Sequence, residues 1–498
     1  MSATQNTLSD ILKEFYLGPV QEQLNNEVMV LDLMTKATVD WNGRVAIIPI
    51  HVSRNTGVGY RAEGTSTVNA LLPAAGDQGY QRLQVNAHFL YGRFQITGPA
   101  ISAAGKGGAN SFIGWMEAEM DKLVNDVKNA SDNAMISGGR VLGFLNQRRQ
   151  AAGGAMPGTD VWEFFGDCEK AAALLAQITG TSTTAFNVAP NVGNALLVDL
   201  VRVDNNAANG YAVINQQCAV TAVDVINRTL TIGSDDQNGG GAANSTDTSA
   251  VDDGRAIAVV VSATQQANTY AAVPAAVTQA GATGTDAVGA QLDQEPRGIF
   301  ENLGSRTHFT VNRFSPASNT EFPVLQSTIM TQGIGAAPSG NRAPLSLPRM
   351  QAVMDQVSQV SGNEPDCILI SPLARQQYAA LFQVTVFGGA ANNTAAVMNT
   401  SGERSNKLDG GFSGLSYGGL PIKTARHVGA GGMIFLKLST WKVLELEAHG
   451  FADLDGNVLA RASVGAAGTD AWEGYYRWYY NTVTTNPNQN GILCGFNV

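Results

Sequence analysis

The chain carries little charge. Only 14% of its 498 residues are Asp, Glu, Lys or Arg, and lysine is missing altogether from residues 37–105, from 171–406 and after Lys442. With 31 basic against 41 acidic residues the net charge is −10, and no basic run is longer than the Arg148-Arg149 pair. A protein whose main task is to wrap nucleic acid needs clustered cations to neutralise phosphates, so that class is disfavoured. Cysteine is also scarce. Cys168, Cys218, Cys367 and Cys494 lie far apart and form no CxxC, so spacing defines neither a zinc site nor a disulfide framework, and four buried or half-buried thiols in a reducing cytoplasm are expected. No apolar run approaches the ~20 residues of a membrane crossing. The opening "MSATQNTLSDILKEFY" lacks the basic-then-apolar order of a signal peptide, so a soluble intracellular product is expected.

Small residues fill the space that charge leaves. Glycine alone numbers 55, and a chain of this length can build two to four domains without a disulfide or metal staple. Few charges and many small side chains suit a protein that hides much of its surface against copies of itself.

The elements follow from periodicity. Ile11, Leu12 and Phe15 repeat at helical spacing behind a Thr7 cap, and after Gly18-Pro19 a second stripe joins Val20, Leu24, Val28 and Leu31, predicting two short helices that form an arm. Alternation then takes over in "GRVAIIPIHV" from Gly43 and in "RLQVNAHFLYGRFQITG" from Arg82. In the second run Leu83, Val85, Ala87, Phe89 and Tyr91 share a face, and Phe94 and Ile96 carry it on after a phase slip at Gly92. The roughly thirty Gly-rich residues between these runs are too many for an ordinary connection and read as a long two-stranded arm. "SFIGWMEAEMDKLVNDVKNASDNAMISGG" predicts a helix near 40 Å long, capped by Ser111, acidic toward its N-terminal half and stopped by Gly138-Gly139. Its stripe is Ile113, Met116, Met120, Leu123, Val127, Ala130 and Ala134.

Residues 184–297 change character to short strands and polar loops, including the hairpin "VTAVDVINRTLTIG", and predict an inserted β-rich domain. Beyond it "SLPRMQAVMDQVSQVSGNEPDCILISPLARQQYAALF" reads as helix, buried strand and helix, with Gly362 ending the first helix and Ser371-Pro372 starting the second. "LPIKTARHV", "GMIFLKL", "WKVLELEAHGF" and "VLARASV" follow as strands, with Asp455-Gly456 as a hairpin turn.

Candidate chemistry is thin. Gly414-Leu415-Ser416-Tyr417-Gly418 fits GxSxG, but a nucleophile elbow needs a strand before the serine and a helix after it, and here a glycine-rich loop precedes and a strand follows. His427 and His449 offer a base only on paper. Asp453, Asp455 and Gly456 do not complete a calcium loop, since the twelfth position is Val464. Gly105-Lys106 lacks the rest of a phosphate loop. No metal spacing and no cofactor signature remain. "WEGYYRWYY" at Trp472 packs six rings into nine residues, with Trp472, Gly474, Tyr476, Trp478 and Tyr480 on one strand face and Glu473, Tyr475, Arg477 and Tyr479 on the other. A platform for stacking bases would be flanked by Lys and Arg. Only Arg461 and Arg477 are near, so the rings are expected to pack on both sides of a central strand and to hold the sheet against the long helix.

The order of these elements resembles the major capsid proteins of tailed phages, the Hong Kong 97-type shell fold. The resemblance rests on "GRFQITGPAISAAG" leading into the helix, "EPDCILISPLARQQYAALF", "YGGLPIKTARHV" and "DLDGNVLAR" followed by a tryptophan-rich strand. It implies an α+β fold with an N-terminal arm (1–42), an extended E-loop (43–97), a peripheral domain with its spine helix (98–183), the inserted β-rich domain (184–297), a return to the peripheral domain (298–344), an axial domain (345–450) and C-terminal strands (451–498). The implied protein is no enzyme. It assembles with itself as hexamers and pentamers into an icosahedral shell enclosing double-stranded DNA without sequence-specific binding. A scaffolding protein, a portal and decoration proteins are the implied partners, with no membrane, and the product is a virion component assembled in the host cytoplasm. An encapsulin-type nanocompartment shell shares the fold, and a serine hydrolase using Ser416 is the remaining alternative. Some relatives join an E-loop lysine to a neighbour's asparagine. The arm here has no lysine, so Arg54, Arg61 and Arg82 are expected instead to pair with a neighbour's acidic helix through Glu117 or Asp121. The inserted domain is expected to face outward.

Overall fold

Alternating apolar residues make the first two long strands a hairpin. β1 (Val45–Ser53) and β2 (Gly79–Asn86) pair antiparallel from Val45 opposite Asn86 to Ser53 opposite Gly79. Ala46, Ile50, Leu83 and Val85 on the inner face pack against Val311, Leu325, Leu444 and Val483. β3 (His88–Thr97) follows after Ala87, whose N–H donates to the Arg44 carbonyl at 3.1 Å. The structure is a computed structural model and describes residues 29–37, 41–60, 74–99, 109–149, 159–179, 196–203, 213–233, 256–261, 294–315, 320–331, 344–381, 415–452, 460–461 and 471–496.

The phase slip lies at Ala87 and His88, not at Gly92. Leu83, Val85 and Ala87 are buried, then Gly92, Phe94 and Ile96, while Phe89 and Tyr91 are 40% and 57% exposed. The cause is a change of partner: the run pairs with β1 up to Asn86 and with a distant C-terminal strand from His88 onward. A polar-apolar count cannot see which strand lies alongside, so aromatic Phe89 and Tyr91 are mistaken for core.

The long helix is α1 (Ala109–Ser137). Val127, Ser131, Asp132, Met135 and Ile136 form its buried stripe, whereas Ala130 is exposed. Two ties fix its C-terminal end. Lys170 Nζ donates to the Ser137 carbonyl at 2.6 Å and pairs with Glu295 at 2.5 Å, placing a cation where the helix dipole is negative. The buried Glu301 carboxylate accepts from the N–H groups of Arg140 and Val141.

A closed six-stranded barrel follows, built in the order Thr229–Gly233, Thr159–Gly166, Val141–Arg149, Ile257–Val261, Leu196–Arg202 and Val213–Asp224. Leu145, Trp162, Phe164, Leu200 and Val259 fill it, and the helix Cys168–Thr179 closes it with Ala171, Leu174 and Leu175. The boundary expected at residue 184 therefore runs through the barrel, because two of its strands precede that position and pairing across roughly 65 to 120 residues leaves no local trace. The Thr229 hairpin forms as expected. Its turn is held by Asp224, whose Oδ1 accepts from the N–H groups of Ile226 and Asn227 at 2.9 Å, and Arg228 takes φ 55°.

The second layer is a six-stranded sheet ordered Thr328–Thr331, Gly491–Cys494, Gly432–Leu436, Cys367–Ile370, Leu420–Thr424 and Ser416–Tyr417. Against it packs α2 (Leu347–Ser361) through Met350, Val353, Met354 and Val357. Gly362 ends α2 at φ 74°, a left-handed cap suited to glycine, and the Ser371 hydroxyl caps the helix Pro372–Ala380 by accepting from the Ala374 N–H. The sheet recruits 328–331 and 491–494 from outside the expected axial segment 345–450. In return, β4 (Trp441–Phe451) leaves that segment to pair with β5 (Ala471–Thr484).

Candidate assembly surfaces

β5 is the centre of the sheet beneath α1. β4 pairs on one side from Trp441 opposite Thr484, and β3 pairs on the other from Thr97 opposite Ala471 to His88 opposite Tyr480. Residues directly opposite each other point to the same face. Tyr476, Trp478 and Tyr480 thus share a face with Leu90, Gly92 and Phe94, and all three rings are buried. Trp478 stacks on Tyr480 at 3.9 Å, its Nε1 donates to Glu445, and Lys36 lies over its ring. Burying each such ring contributes roughly 1.5–3 kcal/mol. This face meets the long helix, as the sequence reading expected.

The other face is open along residues 475–479 of β5 and the adjoining part of β3, although Val483 further along it is buried against the hairpin. Phe89, Tyr91 and Arg93 of β3 and Tyr475, Arg477 and Tyr479 of β5 remain exposed or half-buried, which corrects the expectation of rings packed on both sides. The groups engage one another laterally instead. Tyr91 and Tyr479 join their hydroxyls at 2.8 Å, and Phe89 meets Tyr479 edge-on at 4.8 Å. Arg93 pairs with Glu473, Arg477 pairs with Glu447 at 2.5 Å, and Tyr475 donates to Glu473 at 2.6 Å. The hydrogen bond with Tyr479, followed by burial, pushes the Tyr91 phenol up to about 12. Tyr475 first, then Arg93, holds the Glu473 carboxyl below its ordinary range. A shallow cavity of about 330 Å³ opens among Tyr91, Arg93, Ala452, Tyr475 and Arg477. Each cation here already has its own carboxylate, so the patch is aromatic and electrically balanced. Glu473 and Arg477 alternating with Tyr475 and Tyr479 was the sequence signal for an open face. The density of rings obscured it.

The residues expected to make subunit contacts do not gather within one chain. Arg82 is exposed on β2, Arg54 is exposed just past the end of β1, and Asp121 is exposed on α1. Arg61 and the side chain of Glu117 lie outside the described residues, as do the Thr7 and Pro19 helices, the Asp455-Gly456 turn and the loop 238–254.

Ser416 sits in no elbow. It opens a two-stranded hairpin with Leu420 and Pro421 around Gly418 and Gly419, at φ 57° and 83°. Its carbonyl accepts from the Tyr378 hydroxyl at 2.8 Å. His427 lies beyond the end of its strand, 4.0 Å from Asp167, and His449 bonds the Tyr476 hydroxyl at 2.9 Å. Neither contact involves Ser416. Among the described residues no three His, Cys, Asp or Glu side chains gather to hold a metal ion, all four cysteines are free and buried, and no helix is long and apolar enough to cross a membrane.

No protein-family model matches the chain, and no curated protein matches it. Solved structures from phages and a phage-like particle are similar to it over almost its whole length. The asymmetric unit of the cyanophage A-1(L) capsid is 10% identical, with 99% of each chain covered and a TM-score of 0.43. The capsid of a native gene transfer agent particle is 9% identical, covering 100% of this chain and 99% of its own, at a TM-score of 0.43. Mycobacterium phage Bobi supplies a third, 11% identical over 99% of each chain at 0.40. Likeness at this level defines no family.

Proposed function

We propose that this chain is the major capsid protein of a tailed phage, a structural subunit that tiles an icosahedral shell as hexamers and pentamers around double-stranded DNA. The observation that carries the reading is the one-sided sheet. One face of β3, β4 and β5 is closed by a long helix, and the other presents Phe89, Tyr91 and Tyr479 to solvent among ion pairs that already balance. A patch of this composition suits burial against another protein, since aromatic side chains and arginine dominate the centres of interfaces. The β1–β2 hairpin belongs to a separate three-stranded sheet that runs on into β3 through Ala87, and it supports the role of an arm between neighbours. Arg54 and Arg82 on it, with Arg61, would pair with Glu117 or Asp121 of an adjacent copy. The acidic balance is compatible with enclosing DNA that brings its own counterions. A scaffolding protein, a portal and decoration proteins would complete a virion assembled in the host cytoplasm, and the barrel would face outward as an accessory domain.

Expression of the chain together with its neighbouring genes, followed by electron microscopy and light scattering, tests the proposal. Closed particles or ring-shaped capsomers are the expected product. A stable monomer under every such condition would sink it.

A further inference from the structure

Most of one edge of the hairpin carries no strand among the described residues. β1 pairs with β2 along its whole length on one side. Among the described residues, its other side meets only Trp41 and Asn42, opposite Ala46 and Val45. From Ile47 to Ser53 that edge carries no strand among the described residues, so alternate residues direct N–H and C=O groups outward. Pro49 removes only one donor.

The bare edge borders a groove. A cavity of about 500 Å³ is lined by every residue from Ile48 to Arg54, and by no residue of β2, so it lies on the unpaired side. Val324, the end of α2 at Val360 and Ser361, and the segment 485–489 form its far wall. Two details suggest that the groove is built for an occupant. Val360 is 45% exposed there, an apolar side chain at the rim. Asn488 also lines it, is only 7% exposed, and has an Oδ1 that accepts no hydrogen bond among the described residues. A buried amide oxygen without a donor is destabilising. An incoming main-chain N–H would remove that cost.

We infer that this groove receives an extended segment of a second copy of the chain, which adds a strand to the bare edge of β1. The occupant must be extended, because only an extended backbone can satisfy a row of alternating donors and acceptors. About six or seven residues at ~3.3 Å each would cover the edge. The lining offers His51 and Arg54 and no carboxylate, which complements a chain of net charge −10. A second copy as the source rests on the shell reading, in which every subunit has identical neighbours.

Hydrogen exchange reads the edge directly. Particles assembled from this chain alone are compared with the same chain dissociated. Outward amides between Ile47 and Ser53 should exchange at least about tenfold more slowly in particles. Val360→Glu, which puts a carboxylate at an already exposed position on the rim of a groove whose occupant comes from an acidic chain, should lower particle yield about tenfold or more while leaving the melting temperature of the dissociated chain unchanged. Ile226→Lys, on the barrel turn, should leave the yield intact. Edge amides that exchange equally fast in intact particles overturn the inference and leave the shell reading standing. Protection that appears only when a different polypeptide is added also overturns it, since the occupant is then foreign. If the chain makes no particles at all, the shell reading fails and this inference with it.

Discussion

Gly92 lies directly beneath Val127. A Cβ built on Gly92 would stand 2.8 Å from Val127 Cγ2 and 3.0 Å from Leu123 Cδ1, so the missing side chain of β3 is what lets α1 settle onto the sheet. Real Cβ atoms do not approach that closely, and Val127 is stiff and buried.

Gly92→Ala should therefore destabilise the chain by about 1–3 kcal/mol, the usual cost of overpacking. Urea denaturation measures it. Gly450→Ala, on β4 with nothing within 4 Å of the added carbon, should cost almost nothing. Equal effects at the two positions would mean that the helix is not set by this contact.

The first described residues are anchored by one carboxylate. Asp132 Oδ1 accepts from the N–H groups of Val30 and Leu31 at 2.8 and 3.0 Å, at the start of the short helix Met29–Leu33. Asp132→Ala would leave the buried Val30 N–H without an acceptor, at a cost of roughly 1–3 kcal/mol. Limited proteolysis should then cut within residues 29–37 sooner than in the parent chain, while Asp132→Asn, which keeps an acceptor oxygen, should lie between the two.

Acid should weaken the fold through His308. The ring is fully buried, with Nε2 at 2.8 Å from the Thr484 carbonyl and Nδ1 at 3.5 Å from Arg313 Nη2. Burial first, then Arg313 and Arg297, pushes its pKa well below the ordinary 6.5. The folded state thus holds the neutral ring while the unfolded chain titrates near 6.5, so stability is full above that value and falls as pH drops below it. The urea midpoint should decline between about pH 7.5 and pH 5.5, and more steeply than in His308→Gln, which carries no titrating ring at this position. Parallel declines in the two proteins would remove His308 as the cause.

Assembled particles should hold together without covalent links between subunits. The arm carries no lysine to act as a nucleophile, and arginine stays protonated. After boiling in detergent and reductant, particles should run as one band near 52.2 kDa. A surviving ladder of oligomers would contradict this.

Much of the architecture was legible where a signal is local. The Gly362 stop, the Ser371 cap, the buried "CILI" strand and the turn before Thr229 all depend on a few consecutive residues, and each occurs as read. What sequence could not supply was the partner of each strand. Val141–Arg149 closes a barrel with a strand more than a hundred residues away, Thr328–Thr331 pairs with Gly491–Cys494, and β3 turns its aromatics outward because β5 lies beside it. The candidate surface was misjudged for the same reason. A ring reads as core wherever it occurs, and only the fold decides which side of a sheet remains open.

The barrel turn at Ile226 has a practical consequence. It projects a 91% exposed side chain from a turn whose Ile226 and Asn227 N–H groups are held by its own Asp224. A foreign peptide spliced between Ile226 and Asn227 would leave the barrel strands paired as they are. If the chain forms shells, every copy would then carry the graft, and the particle would become a multivalent display scaffold whose spacing is set by its own lattice.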